Sequence, residues 1–298
     1  MKNTKLFTCI FCLTNIGLVH GQKAIIVGAS TGIGREVAKV LAAHGYELGL
    51  CSRKIDLLNT LKNELPTRSW VKKLDLMQTD EIQPLLQELV NEMGGLDLIV
   101  VNSGIWPESQ QGILPQNKQI PFEWIRDTIT VNVTGCAASF NFAFNYFMKH
   151  KNGAGHIVGI SSTDAVRGNA TNPSYCASKS FMAIFLEGIR NKCAQLDIPM
   201  AITEIRPGWI QTTPEMANDP DFQKDAYWVA PSTQAAQDIY EAIVAKKKVA
   251  YVPQRWTLIG LLLGITPDWL YNKIGGFNYS RKPCTSTWRP TETPLYEE

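Results

Sequence analysis

Seven short runs of β-branched and other apolar residues alternate with segments whose apolar residues recur at helical spacing, and this alternation limits the folds open to the chain. Lys23–Val27 reads as a strand buried on both faces, and Arg35–His44 as a helix that stops at Gly45. Further strands are expected at Tyr46–Leu50, Trp70–Leu74, Leu96–Val101, His156–Ile160, Met200–Ile205 and Val249–Val252. Helices are expected at Ile55–Leu65, Asp80–Met93, Phe122–His150, Ser174–Leu196 and Pro231–Ala245. Strands separated by helical crossovers of this length pair in parallel, because right-handed βαβ units leave helices on both faces. No repeat or linker interrupts the series. The expectation is one α/β domain, a doubly wound parallel sheet of the Rossmann fold, with its ligand at the C-terminal ends of the strands.

Composition excludes little beyond disorder. Of 298 residues, 45% are hydrophobic and 19% charged, which suits a globular core. Lys and Arg number 29 against 27 Asp and Glu, so the charge balance gives no general attraction to nucleic acid. Seven cysteines at irregular spacing argue against a complete disulfide framework and for a reducing compartment. Cys9 and Cys12 match a C-x-x-C pair, but inside an apolar run with no second pair, so no metal is expected.

The two ends stand apart. Lys2 and Lys5 precede the apolar stretch Leu6–Val19, short for a spanning helix and suited to a signal segment. Residues 1–21 read as a cleaved signal, a membrane anchor or an upstream extension, and chemistry begins beyond them, in a domain of residues 22–276. A cytoplasmic location is expected, with membrane association or export through 1–21 as the alternative. Residues 277–298, with Pro283, Pro290 and Pro294, read as a poorly ordered tail.

Gly28-Ala29-Ser30-Thr31-Gly32-Ile33-Gly34 joins the first strand to the first helix. Glycines allow a tight turn and close backbone approach to a pyrophosphate, which the helix N-terminus then attracts. The spacing is G-x-x-x-G-x-G rather than G-x-G-x-x-G. NAD binders place an acid about 20 residues further on, to hold the ribose hydroxyls. Here that point reads Leu50-Cys51-Ser52-Arg53-Lys54, and a guanidinium suits a 2′-phosphate, so NADP(H) is favoured over NAD(H).

Tyr175 and Lys179, four residues apart near the start of a helix, share one face. Thirteen residues before Tyr175, Ser162 follows the strand His156–Ile160, where a doubly wound sheet keeps its site. With the glycine turn, these residues resemble the short-chain dehydrogenase/reductase family, in its compact single-domain branch, from about Lys23 to about Thr212. The resemblance implies a catalytic set of Asn132, Ser162, Tyr175 and Lys179. It implies cofactor contacts from Gly28, Ser30, Thr31, Gly32, Ile33, Gly34, Ser52, Arg53, Asp75, Leu76 and Asn102 on one side. From the other side come Tyr175, Lys179, Pro207, Gly208, Ile210 and Thr212. Departures are mild: Val27 replaces a usual threonine, and Val101 and Ser103 alter an Asn-Asn-Ala-Gly element.

The implied chemistry is hydride transfer by the cofactor, with Tyr175 as acid in reduction and base in oxidation, and Ser162 bonding the substrate oxygen. Asn132 would hold a water linking Lys179 to solvent. A free tyrosine titrates near 10, so work near neutrality needs a lowering of roughly three pH units, about 4 kcal/mol. A lysine cation at ~4 Å in an effective dielectric of ~20 supplies about that much, with oxidised nicotinamide adding to it. Thr213–Val229, with Met216, Phe222, Tyr227 and Trp228, occupies the position of a substrate-covering segment, and its aromatics suggest an apolar substrate. Trp256–Ile265 is expected to pack onto the domain, with a subunit interface or a membrane surface as alternatives.

The expected activity is an NADP(H)-dependent oxidoreductase interconverting a carbonyl and a secondary alcohol on a small-to-medium apolar substrate. The alternatives are a nucleotide-sensing binding protein without turnover, or an epimerase or dehydratase of the superfamily. The resemblance further implies a homo-oligomer built through the helices around 122–150 and 174–196.

Overall fold

Apolar runs with little alternation become interior strands, because only burial on both faces removes so many contiguous side chains from water. A computed structural model describes residues 21–106, 121–169, 172–213, 216 and 227–274. Strands β1 (Lys23–Val27), β2 (Glu47–Ser52), β3 (Ser69–Lys73) and β4 (Leu98–Val101) are joined through α1 (Gly32–Ala43), α2 (Ile55–Glu64) and α3 (Thr79–Met93). Next come α4 (Phe122–Thr128), a π-helical segment Ile129–Gly135 and α5 (Cys136–His150). They lead to β5 (Gly155–Ile160), α6 (Pro173–Gln195) and β6 (Met200–Pro207). The C-terminal part holds β7 (Trp209–Gln211), β8 (Val229–Pro231), α7 (Ser232–Val244), β9 (Val249–Val252), α8 (Trp256–Ile265) and α9 (Asp268–Ile274).

The main sheet is parallel throughout, in the order β3-β2-β1-β4-β5-β6-β9. The chain runs outward from β1 through β2 and β3, then crosses to β4 on the other side of β1. The crevice of a doubly wound sheet opens at that reversal. Register brings the strand ends level there: Val27 pairs with Cys51 on one side and Val101 on the other. One core packs Val37, Leu41, Leu58, Leu61, Ile239 and Ile243 onto one face of the sheet, which places α1, α2 and α7 there. The other core packs Ile82, Leu86, Phe140, Phe147, Met182 and Leu186 onto the opposite face, from α3, α5 and α6. The single doubly wound domain expected from the sequence is what forms.

Three features differ from the sequence reading. The helical stretch from Phe122 to His150 is continuous, but its middle is π-helical. A second, two-stranded parallel sheet pairs β7 with β8. Helix α8 buries Trp256 and Gly260, while Leu258, Leu261, Leu262 and Ile265 stay exposed, as does Trp269 on α9. Packing therefore accounts for one edge of this helix and not for the rest. No helix among the described residues is long and apolar enough to cross a membrane. Of the N-terminal segment 1–21 only Gly21 is described, and the tail 277–298 lies outside the described residues. The covering segment is described at Thr213, Met216 and from Tyr227 onward.

Candidate active site

The cofactor side is built from backbone. Gly28 turns the chain with φ +90, and its N–H donates to the Cys51 carbonyl at 2.8 Å. A Cβ on Gly34 would lie 2.1 Å from the Gly28 carbonyl oxygen and 2.6 Å from Asn102 Nδ2, so any side chain there would collide with the turn. Asn102 Nδ2 donates to the Gly28 carbonyl at 3.0 Å, and its backbone N–H donates to Val27 at 2.9 Å. The changes at Val101 and Ser103 thus leave this strut between β4 and the turn in place. Helix α1 begins behind Thr31 without a side-chain cap, and Thr31, Gly32 and Ile33 line the cleft. An uncapped helix start with room for a ligand is a ready anion site.

At the end of β2, Ser52 Oγ donates to Ser30 Oγ at 2.9 Å and accepts the Lys54 N–H at 3.0 Å. Arg53 is exposed and makes no ion pair among the described residues. Asp75 follows β3 and accepts the Met77 N–H at 3.0 Å, while Leu76 is buried beside Gly135. Across the cleft, the Gly208 N–H donates to Val252 at 2.8 Å, and the Trp256 indole fills the space a Cβ on Gly208 would need. Pro207, Gly208, Ile210 and Thr212 line this wall, and Thr212 packs against Gly32.

Between the walls lies a cleft of about 450 Å³. Ser162, Tyr175 and Lys179 reach it together, from the end of β5 and the first turns of α6. Ser162 lies beside the Tyr175 phenol and favours its ionised form. Lys179 Nζ donates to the Ile160 carbonyl at 2.9 Å and sits 5.5 Å from the centroid of the Tyr175 ring. Trp106 stacks on Tyr175 with ring centroids 5.6 Å apart, and Ile105, Trp209 and Met216 add apolar lining.

Two expectations change. The Tyr175 phenol is not lowered by the protein: burial pushes it above its ordinary value, the Asp164 carboxylate pushes the same way, and Ser162 opposes them. Burial outweighs the other influences on the phenol, and it lowers the pKa of the Lys179 ammonium as well. Asn132, in turn, does not line the cleft. It is fully buried behind it, accepting the Ile105 N–H at 2.8 Å and donating to the Ile105 carbonyl at 2.9 Å and Ser178 Oγ at 3.0 Å. Ser178 donates to the Tyr175 carbonyl at 2.7 Å, so Asn132 ties the loop after β4 to the helix carrying Tyr175. Its side chain bridges these two elements. The π-helical segment turns it inward, and π-helical turns of this kind recur at functional sites.

Sequence reading missed Asp164, Asn169 and Asn172, which also line the cleft. A faint signal was there: an acid two residues beyond the strand-end Ser162 is an expensive residue to bury.

A glycine turn at the switch point of a doubly wound sheet, opposite a Ser–Tyr–Lys cluster, defines a dinucleotide-dependent oxidoreductase site. The sequence profile of the short chain dehydrogenase family matches residues 22–223, and the chain belongs to the short-chain dehydrogenase/reductase family of oxidoreductases, which use nicotinamide cofactors. It is 32% identical over 194 residues to an uncharacterized oxidoreductase of Myxococcus xanthus, covering 64% of this chain and 73% of that one. It is 34% identical over 202 residues to an uncharacterized oxidoreductase of Mycobacterium tuberculosis, covering 65% and 75%. Nodulation protein G of a Rhizobium strain is 29% identical over 238 residues, covering 78% and 92%. Among solved structures, levodione reductase superposes with a TM-score of 0.67 at 17% identity, covering 78% of this chain and 96% of that one. A short-chain type dehydrogenase/reductase of Mycobacterium marinum gives 0.66 at 22% identity, covering 80% and 96%. These two likenesses establish the fold.

Proposed function

We propose that the protein is an NADP(H)-dependent oxidoreductase interconverting a carbonyl and a secondary alcohol on a small-to-medium substrate. The observation that carries this reading is the convergence of Ser162, Tyr175 and Lys179 on one cleft whose opposite wall is the glycine turn. The uncapped start of α1 and the glycine cradle fit a dinucleotide diphosphate. The phosphorylated cofactor is favoured because Arg53 is an exposed cation with no ion pair among the described residues, and no acid stands beside it to hold ribose hydroxyls. The bound dinucleotide supplies the hydride.

The chain does the rest. Ser162 donates to the substrate oxygen and turns it toward Tyr175. In reduction the Tyr175 O–H passes its proton to that oxygen as the alcohol forms, and in oxidation the phenolate takes it back. Lys179 places a cation beside the phenol, and would be one of the residues that hold the cofactor when it is bound. Asn132 keeps the Ile105 loop and α6 in register, so that Tyr175 meets Ser162. Phe122, Ile129, Met148 and Ile184, exposed on α4, the π-helical segment, α5 and α6, suit a homo-oligomer formed through these helices.

The test is NADPH oxidation across ketones, aldehydes and quinones, with wild type beside Tyr175→Phe. Turnover that the substitution removes is the expected result. NADPH binding with no turnover on any of them would make the protein a nucleotide sensor instead. Arg53→Ala should weaken NADPH binding roughly tenfold and leave NADH binding unchanged, as loss of one charge-assisted phosphate contact requires.

A further inference from the structure

The cleft holds one charged group that carbonyl reduction as described leaves without a task. A 3₁₀ turn, Thr163–Ala165, follows β5 and places Asp164 on the cleft wall two residues beyond Ser162. Its backbone N–H donates to Ser162 Oγ at 3.1 Å, so its main chain is fixed to the reacting centre. Its carboxylate accepts from Asn169 Nδ2 at 3.4 Å, and the Asn172 side chain beside it favours its charged form. Asn172 is itself buried, donating its N–H to Asn169 Oδ1 at 3.0 Å and accepting Cys176 Sγ at 3.3 Å. The main-chain bond to Ser162 and the Asn169 amide therefore hold the carboxylate at the cleft wall.

Its charge is not matched. Among the described residues no Lys or Arg forms an ion pair with Asp164. Arg167, three residues on, pairs with Asp268, donates to the carbonyls of Leu263 and Thr266, and lies over the Tyr271 ring. Lys179 donates to Ile160. A carboxylate has about four acceptor sites, and the two amides beside it can use only part of them. A half-buried carboxylate with no ion pair among the described residues is costly unless a donor completes it. The wall it occupies is the one the substrate meets, beside the hydroxyls of Ser162 and Tyr175.

We propose that Asp164 reads the substrate: the cleft takes a carbonyl compound bearing a hydroxyl or ammonium group near the reacting carbon, and that group donates a hydrogen bond to the Asp164 carboxylate. The proposal rests on the oxidoreductase reading above and replaces its wholly apolar substrate with one that is polar at a defined place. Trp106, Ile105, Trp209 and Met216 cover the remainder. A purely structural Asp164 would only brace the Asn169–Asn172 loop and would not sense the substrate.

The experiment uses the whole chain and paired ketones in which a methyl replaces the donor: hydroxyacetone and aminoacetone against butanone, and hydroxycyclohexanones against methylcyclohexanones. The expected result is that wild type prefers donor-bearing members in kcat/KM by roughly 10- to 100-fold, the range of a hydrogen bond to a charged group. Asp164→Asn should cut that ratio at least tenfold, whatever it does to either rate alone. Equal kcat/KM within each wild-type pair overturns the proposal, and so does a preference that survives Asp164→Asn. The wild-type ratios decide the matter even if the variant does not fold. If no ketone turns over, the oxidoreductase reading fails separately. The same pairs are then compared by the rise in melting temperature with NADPH present, where a rise for donor-bearing members alone supports the subsite and equal rises overturn it.

Discussion

The first four strands and the last three solve different problems. Across β1 to β4 the core is apolar, and the buried polar side chains among the described residues are Ser30 and Ser69. Beyond β4 the buried set includes Asp127, Asn132, His156, Lys179 and Glu204, with Asp164 at the cleft. Glu204, 1% exposed, is held by Ser161 at 2.7 Å and by Arg206 at 2.7 and 3.0 Å. The first half binds through glycines and helix geometry and needs few buried polar groups. The second half buries more polar and charged groups, of which Lys179 and Asp164 border the cleft while Glu204 is satisfied by its own partners. Cofactor binding and turnover should therefore separate cleanly by mutation.

The widest separation is expected at Tyr175. Tyr175→Phe keeps the ring that stacks on Trp106 and removes only the hydroxyl, so NADPH binding should persist while kcat falls about 1,000-fold, the usual span of a lost general acid. Comparable loss of cofactor affinity would erase the distinction between the halves.

Acid should loosen the second half first. Burial lowers His156 to about 4, and its Nε2 lies 2.8 Å from Thr203 Oγ1. The unfolded chain takes up a proton near pH 6.5 that the folded chain refuses until about 4, so stability is intact above this window and falls as pH drops through it. The loss approaches about 3 kcal/mol. Urea midpoints measured from pH 7.5 to 4.5 should decline more steeply for wild type than for His156→Gln. Parallel declines would mean that the buried imidazole is not the source.

The converse of the tyrosine variant is Gly34→Ala. It forces a Cβ against the Gly28 carbonyl, so about 2 kcal/mol of stability should be lost, together with NADPH affinity. Melting curves with and without NADPH read both effects. A smaller effect tests the proposed subsite: the Asp164 charge raises the Tyr175 phenol, so Asp164→Asn should let it ionise more easily. In alcohol oxidation, where the phenolate is the base, the rising limb of the pH profile should move to lower pH.

Most of the sheet was legible because buried strands and amphipathic helices announce themselves locally. Lys23–Val27 and Val249–Val252 form where their apolar runs lie, and the turn glycines stand out by their spacing, although the atoms that crowd them include Ser103, Asn102 and Thr212 from distant parts of the chain. Ser162, Tyr175 and Lys179 were legible as a family pattern, and the structure brings them to one cleft. What the sequence hid depends on distant partners. Nothing near Asn132 says that its amide will clamp Ile105 and Ser178, and nothing near Asp164 says that its carboxylate will border the cleft. The phenol's ionisation was misjudged for the same reason: spacing showed a lysine one helical turn away, but not the depth of burial.

The π-helical segment carries a consequence for chain length. Each α-helical residue turns the chain by about 100°, so a π-helical turn acts as an inserted residue that leaves α4 and α5 out of phase. Deleting one residue between Ile129 and Gly135 would restore an unbroken α-helix with every hydrogen bond regular, and would swing either Asn132 or the Phe140–Phe147 face away from its partners. At this point a more regular helix would be the worse one. The protein keeps one residue more than helix geometry asks for, and that surplus sets the angle at which two halves of one helix serve two different neighbours.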